Sequence, residues 1–447
     1  MLMETADLAK THIEPGNALS RECVLRLASS RQIRSPTDEA VTLYIPKDDI
    51  AHPEISIVVP AMNERISIGQ FISWCKQGIA EVGQPIEMLI VDSSADETPE
   101  IALQAGARVL RTPKRGLGRA YIDAIPFIRG KFVIMGDADC TYDFRQVKAY
   151  VEAYLRGAEF VMGSRFKGTI EPEAMPALHR YFGTPLTTMI LNFMYGTKFS
   201  DIHCGMRGIT RDALVKIGLT SQSWEYASEM VLKSVHAELR STEVPIDFFK
   251  DMHGRQSHMV RGGWLEPWRA GWVNLRAMFT YGADFFLLVP GTALLLAGLV
   301  GLAALSVGPL QIGRYYLSLN TMLFALVAAV QGANMVLLAY VARCLYDGLG
   351  KTRKKLLRLF EFTRTVLLCC ISLAVSIVLM TPFVTSFVLR RGLYDSHTVM
   401  LNHLAIVGLF LMALSLSTFV AMLLMHAVDL YLGRAARPDL KTSTDVS

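Results

Sequence analysis

Apolar residues are distributed along this chain in two regimes. From residue 54 to about 260 they come in short runs, and residues 55–59, 87–92, 108–111 and 132–135 each read as a buried strand. Between the runs the spacing is helical: Ile66, Ile68, Phe71, Ile72 and Cys75 mark one face over 65–77, with further helices expected over 99–105 and 119–128. Strands and helices alternating at this spacing predict an α/β domain built on a parallel sheet, with Pro60 ending the first strand. After residue 283 the pattern changes. Four long apolar segments, about 285–308, 315–342, 365–389 and 402–428, contain no Lys, Arg, Asp or Glu. Each exceeds the roughly 20 residues that span a bilayer, which predicts four transmembrane helices. Just before them Trp264, Trp268 and Trp272 recur at i, i+4 and i+8, flanked by Arg261, Arg269 and Arg276, as in an amphipathic helix lying in a membrane interface.

These patterns divide the chain into an N-terminal tail (1–52), an α/β domain (53–260), an interfacial helix (261–283), a four-helix membrane domain (284–432) and a C-terminal tail (433–447). A hydrophobic content of 51% against 19% charge fits that division, and most of the excess lies in the second half. The net charge of +5 is mild and does not point to nucleic acid. The seven cysteines are scattered, odd in number and without a C-x-x-C, which argues against a disulfide framework or a zinc site and for a reducing compartment. The 343–364 loop carries seven Lys and Arg, whereas the other two loops hold only Arg314 and the Arg390–Arg391 pair. The positive-inside rule then places that loop, the α/β domain and the C-terminus in the cytoplasm of an inner or plasma membrane protein, in keeping with an N-terminus that lacks an apolar signal core.

Chemistry gathers at the strand ends. The fourth run closes in Gly136 and then two carboxylates, Asp137 and Asp139; Glu64 and Asp92 follow the first and second. Ligands of open α/β sheets sit outside the carboxyl ends of the strands. Paired carboxylates there suit Mg²⁺ or Mn²⁺, which take substrate phosphates as further ligands. Lys114-Arg115-Gly116-Leu117-Gly118 adds positive charge and backbone freedom near a diphosphate. It is not a G-x-G-x-x-G after the first strand, so a dinucleotide site is disfavoured. Glu225 and Glu229 share a helix face, either as a base for a hydroxyl acceptor or, preferred here, as supporting acids. His179 and His203 are read as structural.

P-A-M-N-E at 60–64, V-D at 91–92, R-G-L-G-R-A-Y at 115–121 and G-D-A-D at 136–139 together resemble the family-2 glycosyltransferases. The branch they resemble is that of dolichyl-phosphate mannosyltransferase and the bacterial polyprenyl-phosphate enzymes. F-V-M-G-S-R-F at 160–166, Asp201-x-x-Cys-Gly-Met-Arg207, E-V-P-I at 243–246 and the 253–258 loop follow in the same order. The resemblance implies a GT-A fold, a divalent metal (Mg²⁺ or Mn²⁺) at Asp137 and Asp139, and inverting transfer of one sugar from a GDP- or UDP-linked donor to a polyprenyl phosphate. It places Pro60, Glu64, Asp92, Arg115, Gly118 and Asp137 on the donor. Arg165, Arg180, Thr184 and Arg255 fall on the acceptor phosphate, with Asp139, Arg165 and Arg180 catalytic. Arginine suits that task because its planar fork pairs with phosphate oxygens. The chain departs from the pattern at Asp92-Ser-Ser-Ala, where a second Asp is usual, and at Met62, where an aromatic residue is usual. It departs again at His258, where the family has lysine, and at Cys140-Thr141-Tyr142-Asp143, which lacks a metal-proximal glutamine and leaves Thr141 or Asp143 in its place. That tetrapeptide is where substrate identity is expected to reside. Two rival readings remain: transfer to a hydroxyl acceptor such as a glycolipid or polysaccharide, and an inactive membrane scaffold. The absence of Q-x-x-R-W argues against a processive synthase.

Overall fold

A computed structural model describes residues 27, 30–36, 38–252, 276, 279, 282–346, 350–389 and 399–435. The chain forms two compact units, Met1–Met278 and Phe279–Ser447.

The first unit is built on one mixed sheet of nine strands among the described residues. In chain order they are β1 (Arg31–Arg34), β2 (Thr42–Ile45), β3 (Ile55–Ala61), β4 (Ile86–Asp92), β5 (Arg108–Arg111), β6 (Phe132–Met135), β7 (Phe160–Ser164), β8 (Arg207–Thr210) and β9 (Ser241–Pro245). Their order across the sheet is β1-β2-β5-β4-β3-β6-β8-β7-β9. β3, β4, β5 and β6 are mutually parallel where they pair, as the apolar runs predict, and helices Ile68–Ala80, Thr98–Gln104 and Leu117–Ala124 connect them. β4 is buried along its whole length and β6 likewise, because helices cover both faces of such a sheet. The chain lays down β3, β4 and β5 in one direction, then returns to place β6 on the other side of β3. That reversal opens a crevice at the carboxyl ends of β3 and β6, where α/β sheets bind ligands.

Two sequence expectations change here. Pro60 does not end β3, which runs on to Ala61 and pairs Pro60 with Val91 of β4. β6 has already stopped at Met135 opposite Val58, so no neighbour on that side requires the missing N–H. Residues 31–45, assigned to the tail, supply β1 and β2: β2 pairs antiparallel with β5, and β1 antiparallel with β2. At the opposite end of the sheet from the crevice, Glu87 is buried and accepts from Ser56 Oγ (2.6 Å), Arg108 Nη1 (2.8 Å) and Arg129 Nε (2.7 Å). This network ties β3, β4 and β5 together at their starts.

The second unit contains helices Ala283–Leu305, Leu319–Tyr346, Phe362–Leu389 and Val399–Ala435, all four long and apolar enough to cross a membrane. Residues 315–317, expected inside the second span, instead form a short hairpin with Leu310–Ile312. Within the basic 343–364 loop lies helix Lys351–Leu359, whose Arg353 pairs with Asp429 at 3.0 Å. Glycine sets the approach of the first two spans. A Cβ added at Gly332 would lie 2.2 Å from the Leu295 backbone N, and one at Gly298 would lie 2.3 Å from that of Ala329. Gly332→Ala is therefore expected to lower stability in detergent by about 1–3 kcal/mol, read as a shift of the thermal unfolding curve. Arg255, His258, the three tryptophans of the 261–283 segment and the tail beyond residue 435 lie outside the described residues.

Candidate active site

The β3 and β4 ends form one side of the crevice. Asn63, in the left-handed region at φ 55°, donates its backbone N–H to Ser94 Oγ (2.7 Å) and accepts from the Ala95 N–H (2.8 Å). Ser94 Oγ donates in turn to Asp92 (2.5 Å), so this serine links the two turns. Asp92 is fully buried and pairs with Arg111. Burial raises its carboxyl above the usual range, against the pull of Arg111. Glu64 is buried too, accepting from Ser67 Oγ (2.7 Å), while its backbone N–H donates to Thr98 Oγ1 (2.8 Å). Both acids are thus engaged by their own chain and shape the floor of the crevice.

The β6 end forms the other side. Asp137 and Asp139 are half-buried, in contrast to Glu64 and Asp92. Cys140 between them and the next turn is held at φ 61°, a conformation that non-glycine residues adopt at a cost and that clusters at functional sites. Asp139 Oδ1 accepts from the Thr141 N–H (3.0 Å) and from Thr141 Oγ1 (2.6 Å), which orients its carboxylate. Asp137 faces the 201–207 loop: a Cβ at Gly205 would lie 2.6 Å from its Oδ2, so only glycine leaves this carboxylate its room. Tyr142 Oη accepts from the Gly205 N–H (2.8 Å) and fixes that loop. Cys140, Thr141, Tyr142 and Asp143, the tetrapeptide expected to carry substrate identity, are all buried. Asp143 caps the next turn, holding Arg145 through Nε (2.7 Å) and Nη2 (2.8 Å). Of the two substitutes for the absent glutamine, Thr141 bonds to Asp139.

Among the described residues no group of three or more His, Cys, Asp or Glu could hold a metal. The donor set at this crevice is two accessible carboxylates. That set fits a hard cation of the Mg²⁺ or Mn²⁺ kind, which fills its other positions with water and substrate phosphate.

The arginines sort differently from the sequence expectation. Arg165 is buried, and its Nε and Nη2 grip both oxygens of Asp201 at 2.7 and 2.9 Å. Its guanidinium also lies 5.2 Å over the Phe248 ring. The fork expected to face a phosphate is therefore committed to Asp201, with Nη1 outside that pair. Burial alone would raise the Asp201 carboxyl, but Arg165 overrides it and holds the group below the usual carboxylate range. Arg180 sits on a π-helical turn, His179–Gly183, a local widening often found at functional sites. It is half-buried, lies 5.5 Å over the Tyr181 ring, and makes no ion pair among the described residues. Thr184, expected at the acceptor, is buried at the start of helix Thr184–Tyr195. Arg207 is buried as well and donates to the carbonyls of Cys204 (2.8 Å), Ala227 and Ile202, bracing the loop under Asp137.

His203 lies beside this network, its Nε2 2.8 Å from Thr187 Oγ1. Burial pushes its pKa down to about 4, helped by Arg165 against the pull of Asp201. A depressed histidine binds its proton more readily when unfolded, so it favours unfolding as pH falls below the ordinary value near 6.5. Thermal stability is expected to decline between about pH 6.5 and 4, and His203→Gln should flatten that decline. An unchanged pH profile in the variant would refute the assignment.

The remaining expected donor residues follow β5 and open helix Leu117–Ala124, whose Tyr121 Oη donates to the Gly136 carbonyl (3.0 Å). Arg115 pairs with Asp38. A Cβ at Gly116 would lie 2.3 Å from the Gln222 carbonyl O, and one at Gly118 would lie 2.1 Å from that of Ser221. The close passage of the 221–223 loop requires glycine at both positions. Gly118→Ala should force the two loops apart at a cost of about 1–3 kcal/mol, measurable as lost thermal stability. Glu225 pairs with Arg276 at 2.9 Å. Glu229 is fully buried, accepting from Thr220 Oγ1 (2.7 Å) and the Ser221 N–H (2.8 Å). Both fit the supporting role preferred from sequence. The sequence assigns no individual role to Asp201, Tyr142, Gly205 or Ser94, although each lies inside a motif or departure named above.

The profile of Glycosyl transferase family 2 matches residues 56–218. The low-salt glycan biosynthesis hexosyltransferase Agl6 of Haloferax volcanii is 36% identical over 290 residues, covering 64% of this chain and 68% of its own. The dolichyl-phosphate hexose transferase of the same archaeon is 29% identical over 198 residues, 44% of this chain and 82% of its own. Among solved structures, glucosyl-3-phosphoglycerate synthase from Mycobacterium tuberculosis, in complex with Mn²⁺, UDP and glucosyl-3-phosphoglycerate, aligns with a TM-score of 0.40 at 18% identity, over 52% of this chain and 81% of that one.

Proposed function

The chain belongs to glycosyltransferase family 2, and on that premise we propose that it moves one sugar from a nucleotide-sugar donor to a polyprenyl phosphate, with inversion at the anomeric carbon. The observation that carries this reading is the pair Asp137 and Asp139, accessible at the carboxyl end of β6 beside β3. These two carboxylates would hold a Mg²⁺ or Mn²⁺ ion, which when bound with the donor neutralises charge on the leaving diphosphate. The turns after Pro60 and Asp92 would lie under the base and ribose of a UDP- or GDP-linked sugar.

A lipid phosphate acceptor suits both halves of the chain. It is an anion near neutral pH and needs no strong base. Glu225 and Glu229, the acids that would serve a hydroxyl acceptor, are tied to Arg276 and to the 220–221 turn. Arg180, without an ion pair among the described residues, would meet the acceptor phosphate. Arg165 Nη1 would assist, and Thr184 would back the helix start beneath; Arg255 keeps its motif-based place in the same role. Four helices able to cross a membrane would hold the enzyme where its acceptor resides, and one relative is a dolichyl-phosphate hexose transferase. The seven cations of the 343–364 loop favour a cytoplasmic catalytic domain and C-terminus.

The test is a competition between short-chain polyprenyl phosphate and the corresponding free alcohol, with the same labelled donors and Mg²⁺ or Mn²⁺. Label should enter the phosphate alone. Label in the free alcohol would favour the hydroxyl-acceptor reading.

A further inference from the structure

The β1–β2 hairpin, which precedes the family match at residue 56, reaches the rim of the crevice. β2 pairs antiparallel with β5, Thr42 opposite Arg111, so the turn joining β1 to β2 lies at the carboxyl end of β5. That end borders the Asp92 turn. Arg111 pairs with Asp92 and donates to the Ser94 carbonyl (2.9 Å), and the Thr112 N–H donates to the Asp92 carbonyl (2.9 Å). Beyond Arg115 the chain enters helix Leu117–Ala124, whose Tyr121 bonds to Gly136, the residue before Asp137. Residues 112–121 therefore run from the Asp92 turn to the Asp137 turn, with Arg115 between them.

The hairpin presents one carboxylate to this rim. Its turn is closed by the Ser35 N–H on the Val41 carbonyl (2.9 Å) and the Val41 N–H on the Asp38 carbonyl (3.0 Å), with Ser35 and Val41 buried. Asp38 Oδ1 accepts from the Ala40 N–H (3.1 Å), which aims Oδ2 at Arg115 Nη1. The bond from Arg115 is the chief reason that the Asp38 carboxyl lies below its usual range. The Arg115 and Asp38 side chains are 36% and 24% exposed, so water and salt weaken their attraction. A diphosphate carries more charge than a carboxylate and offers paired oxygens to the guanidinium. It would displace Asp38 from Arg115, against the repulsion of the Asp38 charge.

We propose that Asp38 is a positioning residue for the donor: it holds Arg115 while no donor is bound and yields it to the diphosphate of the nucleotide sugar. The N-terminal hairpin thereby sets donor affinity. This deepens the proposed function, because it rests on a nucleotide sugar binding in the crevice.

The test titrates UDP and GDP with Mg²⁺ into the purified full chain by calorimetry, with no lipid acceptor present. Asp38→Asn keeps an oxygen for the Ala40 N–H and removes the charge. It should tighten binding of the accepted nucleotide about 2–5-fold, the range of an exposed ion pair. In turnover the donor KM should fall by the same factor with kcat unchanged, which a merely structural role for the turn would not produce. In an Arg115→Gln background Asp38→Asn should change nothing, and Glu39→Gln on the same turn should leave affinity as it is. Unchanged or weaker binding in Asp38→Asn would overturn the proposal. An equal gain in the Arg115→Gln background, or no nucleotide bound by any of the proteins, would overturn it too. Binding is read without an acceptor, so this exchange can fail while transfer to polyprenyl phosphate stands, and can hold in a protein that serves a hydroxyl acceptor.

Discussion

Asp139→Asn lowers sugar transfer by about 10³-fold or more, equivalent to about 4 kcal/mol of transition-state stabilisation. The size follows from what the side chain does. It is one of two accessible carboxylates at the switch point, and a divalent ion held there would carry the charge developing on the leaving diphosphate. The fold should survive, because this carboxylate is half-buried at the strand end and accepts from Thr141, two residues away. Chelation of divalent metal should reproduce the loss in the wild type and add nothing in the variant. Near-wild-type turnover of a folded Asp139→Asn protein would refute the metal assignment.

The second large effect is on stability. Asp201→Ala leaves the Arg165 guanidinium buried with its counter-charge removed, and removing one partner of a buried pair costs about 3–5 kcal/mol. Because Asp201 also accepts from the Arg165 and His203 backbone N–H groups, the 201–207 loop should loosen with it. Thermal unfolding of the purified chain reads the first effect. Faster hydrogen exchange over 201–207 reads the second. A stability change within about 0.5 kcal/mol, as for an ordinary surface substitution, would mean the pair is not the brace described here.

The sheet's centre was legible because burial on both faces leaves a simple trace. β5 and β6 fall on their predicted residues, and β4 begins one residue early. β1 escaped because Arg31–Arg34 is exposed throughout, so its sequence shows no apolar run. The hairpin at 310–317 escaped for the opposite reason: its apolar tyrosines and leucine read as a continuation of the membrane span.

At the site, residue types and strand ends were readable, and Asp137 and Asp139 lie where the pattern placed them. Partners were not readable. Arg165 and Asp201 are 36 residues apart, and nothing in either local sequence says that they meet. The second task of the G-x-G at 116–118 was not readable either: both glycines admit the passing 221–223 loop, which no local sequence pattern announces.

The central claim is that the crevice between β3 and β6 transfers sugar to lipid phosphate. It is tested most directly by incubating the purified full chain with UDP- and GDP-sugars, Mg²⁺ or Mn²⁺ and a short polyprenyl phosphate, then weighing the extracted lipid. The account predicts, with one of the donors, a lipid heavier by a single sugar residue, joined through the phosphate, and one nucleoside diphosphate released per product. Absence of a lipid-linked sugar with every donor, or a sugar joined elsewhere than the phosphate, would contradict it.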